Sequence, residues 1–194
     1  MDLQRLITSR RSIRQFESKS IPGEILEKIV DAGRLAPSAA NLQPLSFIIA
    51  DAPEVRDRIF PCLKWAAYIQ PAGNPKPGRE PRAYVIVLVD KRIREKMYEY
   101  DVGAAVENMA LCAWGEGIAS CWLISIDKPA LRTILEVPDP IEIDSVLALG
   151  YPAEVSVVED FRDSPRYWKD DAGTFHVPKR KLTSVLHHNR YRPR

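Results

Sequence analysis

The stretch Tyr84-Val85-Ile86-Val87-Leu88-Val89 is apolar at every position. An unbroken apolar run of this length indicates a strand that is buried on both faces of a sheet. Helices must cover both faces of such a sheet, and the sequence on either side of the run has helical patterns. We therefore place residues 84–89 at the centre of the fold.

Helical and extended patterns alternate on both sides of the predicted central strand. Those before it cover residues 3–7 (helix), 22–33 (helix), 47–50 (strand) and 53–60 (helix), and those after it cover 101–114 (helix), 120–124 (strand), 128–135 (helix) and 143–149 (strand). Asp101 and Asp127 are expected to cap their helices, and Gly33 and Pro37 to end the helix that Pro22 begins. This order predicts an α+β fold, or α/β three-layer fold, with a sheet flanked by helices.

The chain is expected to form a single domain over residues 1–194, because this length suits one hydrophobic core. Residues 61–82 are rich in proline and are expected to form a lid-like segment. Trp65 and Tyr68 within that segment either pack on the core or cover a planar ligand. Residues 160–194 are expected to form an extended, irregular tail.

The composition excludes several classes of protein. The 28 basic residues nearly balance the 26 acidic ones, so the chain lacks the positive charge typical of nucleic-acid-binding proteins. The three cysteines have neither metal-ligand nor disulfide spacing, which favours a reducing compartment. The sequence has no signal-peptide pattern and no apolar run long enough to span a membrane. We therefore expect a cytoplasmic protein without a nucleic-acid or membrane partner.

Basic and hydroxyl side chains concentrate in the stretch Ser9-Arg10-Arg11-Ser12-Ile13-Arg14. Arginine stays charged and offers a planar fork of donors that matches a phosphate group. Taken alone, the cluster is more simply explained as a solvated basic turn between two helices. The choice between the two interpretations depends on the rest of the chain.

Familiar catalytic motifs are absent from the sequence. It has no P-loop, nucleophile elbow, zinc-protease motif or CxxC pair. The three histidines, His176, His187 and His188, all lie in the tail, so no histidine-based dyad is predicted in the core. This scarcity of acid–base groups is expected of an enzyme whose cofactor carries the hard chemistry. We accordingly predict no catalytic residue and no metal site.

Five segments, taken together, are similar to a known family. They are residues 10–14 (RRSIR), 36–44 (APSAANLQP), 101–108 (DVGAAVEN), 120–125 (SCWLIS) and 149–152 (LGYP). In this order they resemble the FMN-dependent nitroreductase family over nearly the whole chain. The resemblance implies a nitroreductase-like fold with a mostly antiparallel sheet. It also implies an intertwined homodimer with FMN at the subunit interface.

The resemblance implies roles for individual residues. Arg10 and Ser12 would hold the phosphate and ribityl end of FMN. Arg14 would reach the N1 side of the flavin ring, where a fixed cation stabilises the negative charge that reduction adds. The full set of implied cofactor-binding residues is Arg10, Arg11, Ser12, Arg14, Pro37, Ser38, Ala39, Asn41, Gln43, Leu123, Ile124, Ser125, Lys179 and Lys181.

The resemblance implies a different position in the site for each of three groups of these residues. The residues of loop 37–43 would come from the partner subunit, and Gln43 would either join them or only order the loop. Residues 123–125 would lie along the flavin and offer a backbone N–H to its N5 atom. Lys179 and Lys181 would bind the phosphate, and a shift of one position would exchange Arg180 with either.

The implied activity is that of an oxidoreductase. NADH or NADPH would reduce FMN and then leave, and a nitroaromatic, a quinone or a similar small molecule would accept the electrons in a ping-pong mechanism. Two alternatives stay open. One is a specialised flavoenzyme of the same family that dehalogenates, dehydrogenates or converts a flavin. The other is a flavin-binding regulatory module with little turnover.

Overall fold

The computed structural model of the chain describes residues 2–192, so Met1 and residues 193–194 of the predicted domain and tail lie outside the described part. The helices of this part are α1 (Leu3–Ser9), α2 (Gly23–Arg34), α3 (Pro53–Ile59), α4 (Glu99–Gly115) and α5 (Lys128–Ile134). The strands are β1 (Leu45–Ala50), β2 (Ala83–Asp90), β3 (Ala119–Leu123), β4 (Ile141–Gly150), β5 (Ser156–Asp160), β6 (Trp168–Lys169) and β7 (Phe175–Lys179). The predicted order of helices and strands from α1 to β4 is confirmed.

The first four strands form one sheet in the order β1-β2-β4-β3, and all its pairs are antiparallel. In β2, Val87 lies opposite Phe47 of β1 and Ser145 of β4. The predicted central strand is therefore an inner strand with a neighbour on each side. Ladder bonds to both neighbours satisfy its backbone, which allows its side chains to be buried throughout.

Helices pack on both faces of this sheet. Val85 and Val87 of β2 belong to a core cluster with side chains of α2 and α4, whereas Tyr84 and Ile86 belong to one with side chains of α3 and α5. These four β2 residues are at most 1% exposed. Successive strand residues point to opposite faces, so the continuous apolar run produces two cores. The α+β three-layer prediction is confirmed.

One predicted helix end is confirmed and one predicted helix start is wrong. Helix α2 ends at Arg34, between Gly33 and Pro37. Gly33 also allows close packing, since a Cβ there would lie 2.7 Å from Cγ of Met109 on α4. Helix α4 begins at Glu99, and Asp101 therefore lies in its first turn instead of capping it. The Asp101 carboxylate reaches a loop that precedes β1, which local sequence does not reveal.

The prediction of an irregular tail is also wrong. Strands β5, β7 and β6 form a second sheet, in which β5 and β7 are parallel and β6 and β7 antiparallel. Strand β6 has only two residues, and the five-residue strands β5 and β7 contain charged residues or proline and are mostly not buried, so they lack the apolar run that marks the strands of the main sheet. The Trp168 and His176 rings stack across the β6–β7 pair with centroids 4.1 Å apart.

The proline-rich segment 61–82 contributes to both the core and the surface. Trp65 is only 3% exposed and packs in the α3–α5 core, which decides between its two predicted roles. Tyr68 is 56% exposed, and its ring lies 5.0 Å from that of Tyr167 beside the second sheet. Among the described residues, no helix combines the length and the apolar character needed to cross a membrane.

Candidate functional site

The arginine-rich segment runs along the edge of the main sheet. Ser12 forms a parallel backbone bridge with Ser120 of β3, and the Ile13 N–H donates to the Ser120 carbonyl at 3.0 Å. Ile13 is 2% exposed. Alternate side chains of an extended segment point to opposite sides, so Ser12 and Arg14 lie on the side opposite to the buried Ile13.

Basic side chains from the two ends of the chain meet in one pocket of about 180 Å³. Its lining residues are Arg10, Arg11, Ser12, Arg14, Tyr167, Val177 and Lys179. Four cations and no carboxylate line this arginine pocket, which is the donor set expected for a phosphate dianion. Arg10 Nε lies 3.2 Å from Glu107 Oε1 of α4, a contact that orients the guanidinium and uses one of its donors.

Arg11 differs from its neighbours because its guanidinium forms hydrogen bonds with the carboxyl-terminal end of α1. It donates to the backbone carbonyls of Arg10 and Thr8 at the end of α1. Burial, with a smaller effect from Arg10, lowers the pKa of the Arg11 guanidinium. Two of its donors are thus committed to the protein.

Arg14 is held by the second sheet. Its guanidinium carbon lies 5.3 Å from the centroid of the Tyr167 ring and 4.9 Å from that of Phe175. Its backbone N–H donates to Glu154 Oε1 at 2.6 Å. The Nε of Arg14 is buried and has no hydrogen-bond partner among the described residues. A buried donor of this kind needs an acceptor, which a bound ligand can supply.

The three consecutive basic residues that begin with the last residue of β7 lie in different surroundings. Lys179 lines the arginine pocket. Arg180 donates to the Ser184 carbonyl at 2.6 Å, and exposed Lys181 pairs with Asp160 at 3.3 Å. Within one chain, Lys179 is therefore the member of this group that reaches the arginines.

The segment 36–44 has an unusual backbone. Ala40, Asn41 and Gln43 have φ angles of 52°, 53° and 52°, in the left-handed region that non-glycine residues seldom adopt. Gln43 orders the loop, since its side chain donates to the Asn41 carbonyl at 3.1 Å and its backbone N–H to Ser38 Oγ at 2.9 Å.

This segment borders a second pocket of about 180 Å³. The second pocket shares no lining residue with the arginine pocket and is lined by Gly33, Arg34, Ala36, Pro37, Ser38, Gln43, Pro44, Leu45, Phe47, Asp101 and Ala105. Within one chain the structure thus does not bring Pro37, Ser38 or Gln43 to the arginines, and Ala39 and Asn41 line neither pocket.

Residues 123–125, at the end of β3 and just after it, lie away from the Ser12–Ser120 bridge. Leu123 is buried, whereas Ile124 is 64% exposed and Ser125 is also exposed. At about 3.3 Å per extended residue, Ser125 lies roughly 16 Å along the strand from Ser120. The Ser125 carbonyl accepts the Lys64 N–H at 3.1 Å, so this edge is tied to the proline-rich segment.

The histidines take no part in either pocket lining. His176 stacks on Trp168 and lies 3.2 Å from Asp170 and 3.4 Å from Glu159 on the second sheet. No group of His, Cys, Asp or Glu in residues 2–192 is arranged to hold a metal ion.

Comparison with known proteins identifies the family. A family model described as the nitroreductase family matches residues 7–151. The chain belongs to the nitroreductase family. The matched range includes four of the segments that carry the family resemblance, namely 10–14, 36–44, 101–108 and 120–125.

Individual relatives agree with this membership. An Archaeoglobus fulgidus protein with the provisional name NADH dehydrogenase/NAD(P)H nitroreductase is 37% identical over 157 residues, which cover 77% of this chain and 85% of that protein. An iodotyrosine deiodinase of Haliscomenobacter hydrossis is 27% identical over 178 residues, which cover 79% of this chain and 80% of that protein. A provisionally named nitroreductase from Desulfovibrio desulfuricans, solved in complex with FMN, matches 99% of both chains with a TM-score of 0.68 and 23% identity. The fold is therefore that of the nitroreductases.

Sequence reasoning missed three residues that shape the site in this nitroreductase-family chain. Tyr167 lies in the tail 160–194, which the sequence predicts to be irregular, and Glu154 lies just before it; no local pattern links either residue to Arg14. Asp101 was interpreted as a helix cap. A clue was its place in segment 101–108, one of the segments that carry the family resemblance.

Proposed function

We propose that this oxidoreductase of the nitroreductase family uses FMN to transfer hydride from NAD(P)H to a nitroaromatic, a quinone or a similar acceptor. The observation that carries the proposal is the arginine pocket. It combines Arg10, Arg14 and Lys179 with the Ser12 hydroxyl, and it is lined by no acid. A pocket of this kind favours a phosphorylated ligand over a neutral one.

The residues present fit FMN on their own chemistry. Arg10, Ser12 and Lys179 offer cationic and hydroxyl donors for a phosphate. The buried, unpartnered Nε of Arg14 offers a further donor beside an aromatic wall. FMN, when bound, supplies the redox chemistry, because its flavin ring accepts and releases hydride.

The chain's own residues bind and tune the cofactor in this proposal. Arg10, Ser12 and Lys179 hold the phosphate end, and residues 123–125 lie along the flavin. Arg14, fixed by the Tyr167 and Phe175 rings, places a permanent positive charge beside the ring system, where it stabilises the negative charge that arrives on reduction. No residue is required as a nucleophile or as a general base.

The site is completed by a second copy of the chain in this proposal. Each of the two pockets, at about 180 Å³, is smaller than the roughly 300–1,000 Å³ typical of ligand sites. In and beside the loop 36–44, Leu42 and Leu35 are 46% and 64% exposed, and at the start of α4, which contacts this loop through Asp101, Met97 and Tyr100 are 59% and 72% exposed. An exposed apolar surface of this kind favours association. In a homodimer, the loop of one subunit would meet the arginine pocket of the other.

A spectrum and a turnover assay test the proposal. The purified protein is expected to be yellow, with a flavin absorption spectrum, and to oxidise NADH or NADPH when a quinone or nitroaromatic acceptor is present. A protein that stays colourless with added FMN would contradict cofactor binding. A bound flavin that NAD(P)H never reduces would instead favour the regulatory module.

The deiodinase relative favours a second candidate, reductive dehalogenation on the same flavin. This reaction replaces a carbon–halogen bond by a carbon–hydrogen bond and releases halide, with electrons from the reduced flavin. Halide release from an iodinated or brominated tyrosine, measured beside quinone reduction under the same conditions, separates the two. Dehalogenation is the better assignment if the kcat/KM for the halotyrosine exceeds that for the quinone.

A further inference from the structure

The buried carboxylate of Asp101 connects α4 to the loop 36–44. Asp101 is 4% exposed and accepts the Ala39 N–H on Oδ1 and the Ser38 hydroxyl on Oδ2, each at 3.2 Å. The Ser38 oxygen in turn accepts the Gln43 N–H at 2.9 Å. One carboxylate thus fixes both ends of the left-handed stretch, directly at Ala39 and through Ser38 at Gln43.

The charge of Asp101 is balanced from a third segment. Nη1 of Arg94, in the connection between β2 and α4, lies 3.2 Å from Oδ2 and 3.4 Å from Oδ1. The Arg94 side chain is 12% exposed and also donates through Nε to the Lys96 carbonyl at 3.0 Å. Buried charges persist in proteins when they are paired and hydrogen-bonded, and both conditions hold here.

The loop needs an external restraint of this kind. Ala40, Asn41 and Gln43 occupy the left-handed region, and such residues persist only where surrounding contacts over-determine the backbone. The pocket behind the loop, which Asp101 itself lines, gives the loop room to relax if the restraint is removed.

We propose that Asp101 is a positioning residue that holds loop 37–43 in the conformation that completes the cofactor site. The inference rests on the proposed function, since it assumes that this loop meets FMN across a subunit interface. It also assigns Ser38 a role in the loop. A hydroxyl has one proton, and that of Ser38 goes to Asp101, so this side chain has no proton left for a cofactor.

The test compares carboxylate-to-amide variants at two ion pairs. Asp101→Asn removes the charge that faces the loop. Glu142→Gln is the control, because Glu142 is likewise an ion-paired carboxylate, with Lys91 and Lys128 as its partners, but lines neither of the two pockets. FMN affinity and amide hydrogen exchange are measured on the full-length chain.

We expect Asp101→Asn to speed the exchange of the Ala39 and Gln43 amides about tenfold and to weaken FMN binding about tenfold, in line with the loss of hydrogen bonds to a charged group. Glu142→Gln is expected to change neither quantity more than twofold. Exchange rates equal to those of the wild type would overturn the anchoring role. A loosened loop with unchanged FMN affinity would overturn its link to the cofactor.

Ser38 variants keep the test decisive if Asp101→Asn fails to fold. Ser38→Ala leaves the Asp101–Arg94 pair and the Ala39 bond to Asp101 intact and removes the hydroxyl that links Asp101 to Gln43, whereas Ser38→Thr keeps this hydroxyl. The alanine variant is expected to weaken FMN binding and the threonine variant to restore it. Equal affinities in both variants would overturn the inference. If the wild type binds no FMN, the proposed function fails, and the exchange rates still decide whether Asp101 anchors the loop.

Discussion

The backbone N–H of Arg14 donates a 2.6 Å hydrogen bond to Oε1 of Glu154, which lies 140 positions further along the chain. The other oxygen of the same carboxylate lies 2.9 Å from Lys169 Nζ. The Glu154 and Lys169 side chains are 4% and 17% exposed. One buried carboxylate therefore ties the arginine segment to the second sheet, and this tie fixes where the Arg14 guanidinium lies.

Replacement of Glu154 by Gln should destabilise the protein. The amide keeps an acceptor for the Arg14 N–H but leaves the partly buried Lys169 without its carboxylate partner, which costs about 2 kcal/mol. Urea unfolding measures the change. The Glu154→Gln/Lys169→Met double variant removes the unpaired charge and is expected to recover most of the loss. Strictly additive effects would contradict direct coupling of the two side chains.

Arg10→Ala and Arg14→Ala should have different effects on bound FMN. Arg10→Ala is expected mainly to weaken FMN binding, because in the proposed site Arg10 holds the phosphate end. Arg14→Ala should also lower the reduction potential of bound FMN by about 30–60 mV, the equivalent of one lost hydrogen bond to a charged group. Arg14→Lys, which keeps the charge, serves as the control. Equal potentials in the wild type and Arg14→Ala would refute this division.

Lys179 and Lys181 should contribute unequally to FMN affinity. Lys179 lines the arginine pocket, whereas Lys181 pairs with Asp160 at the surface. Lys179→Ala is expected to raise the FMN dissociation constant about tenfold, and Lys181→Ala by less than twofold. Fluorescence titration of the released flavin measures both. A larger effect at Lys181 would place the phosphate nearer the distal end of the tail.

The protein should lose stability at alkaline pH. Burial raises the pKa of the Cys121 thiol and of the Tyr84 hydroxyl, so both keep their protons where the unfolded chain has lost them. The native state then binds more protons than the unfolded state, and the free energy of unfolding falls as pH rises. Both groups contribute their full stabilisation below about pH 8.5, which is the pKa of a cysteine thiol in the unfolded chain. The tyrosine contribution is lost progressively above about pH 10, the pKa of an unfolded tyrosine.

Urea unfolding between pH 7 and 10.5 measures this decline. Cys121→Ala should reduce the slope from about pH 8.5, and Tyr84→Phe the slope above about pH 10. Tyr191→Phe is the control, since Tyr191 is 76% exposed. A Tyr84→Phe variant with the wild-type slope would contradict a buried, protonated Tyr84.

Local sequence predicted the main sheet and its helices well. Asp127, for example, accepts the Ala130 N–H at 3.1 Å as a cap of α5, because an N-cap bond joins residues only three positions apart. Gly117, after the predicted end of α4, has a φ of +75°, which glycine adopts at little cost. The family resemblance predicts a phosphate-binding role for the arginine segment, whereas its composition alone favours a solvated basic turn.

The second sheet, the ring pair around Arg14 and the role of Asp101 depended on tertiary structure. Strand β6 has two residues, and β5 and β7 lack a continuous apolar run, so no local pattern marks them as strands. The pairing of Trp168 with His176 depends on a strand register that only the folded chain sets.

The sequence by itself determined the alternation of helices and strands, because caps, glycines and apolar periods act over a few residues. Only the tertiary structure decided which arginine faces which ring and which carboxylate holds the loop. Arg14 meets Glu154 and Ser38 meets Asp101 across 140 and 63 positions, and contacts at such separations follow from how the layers pack.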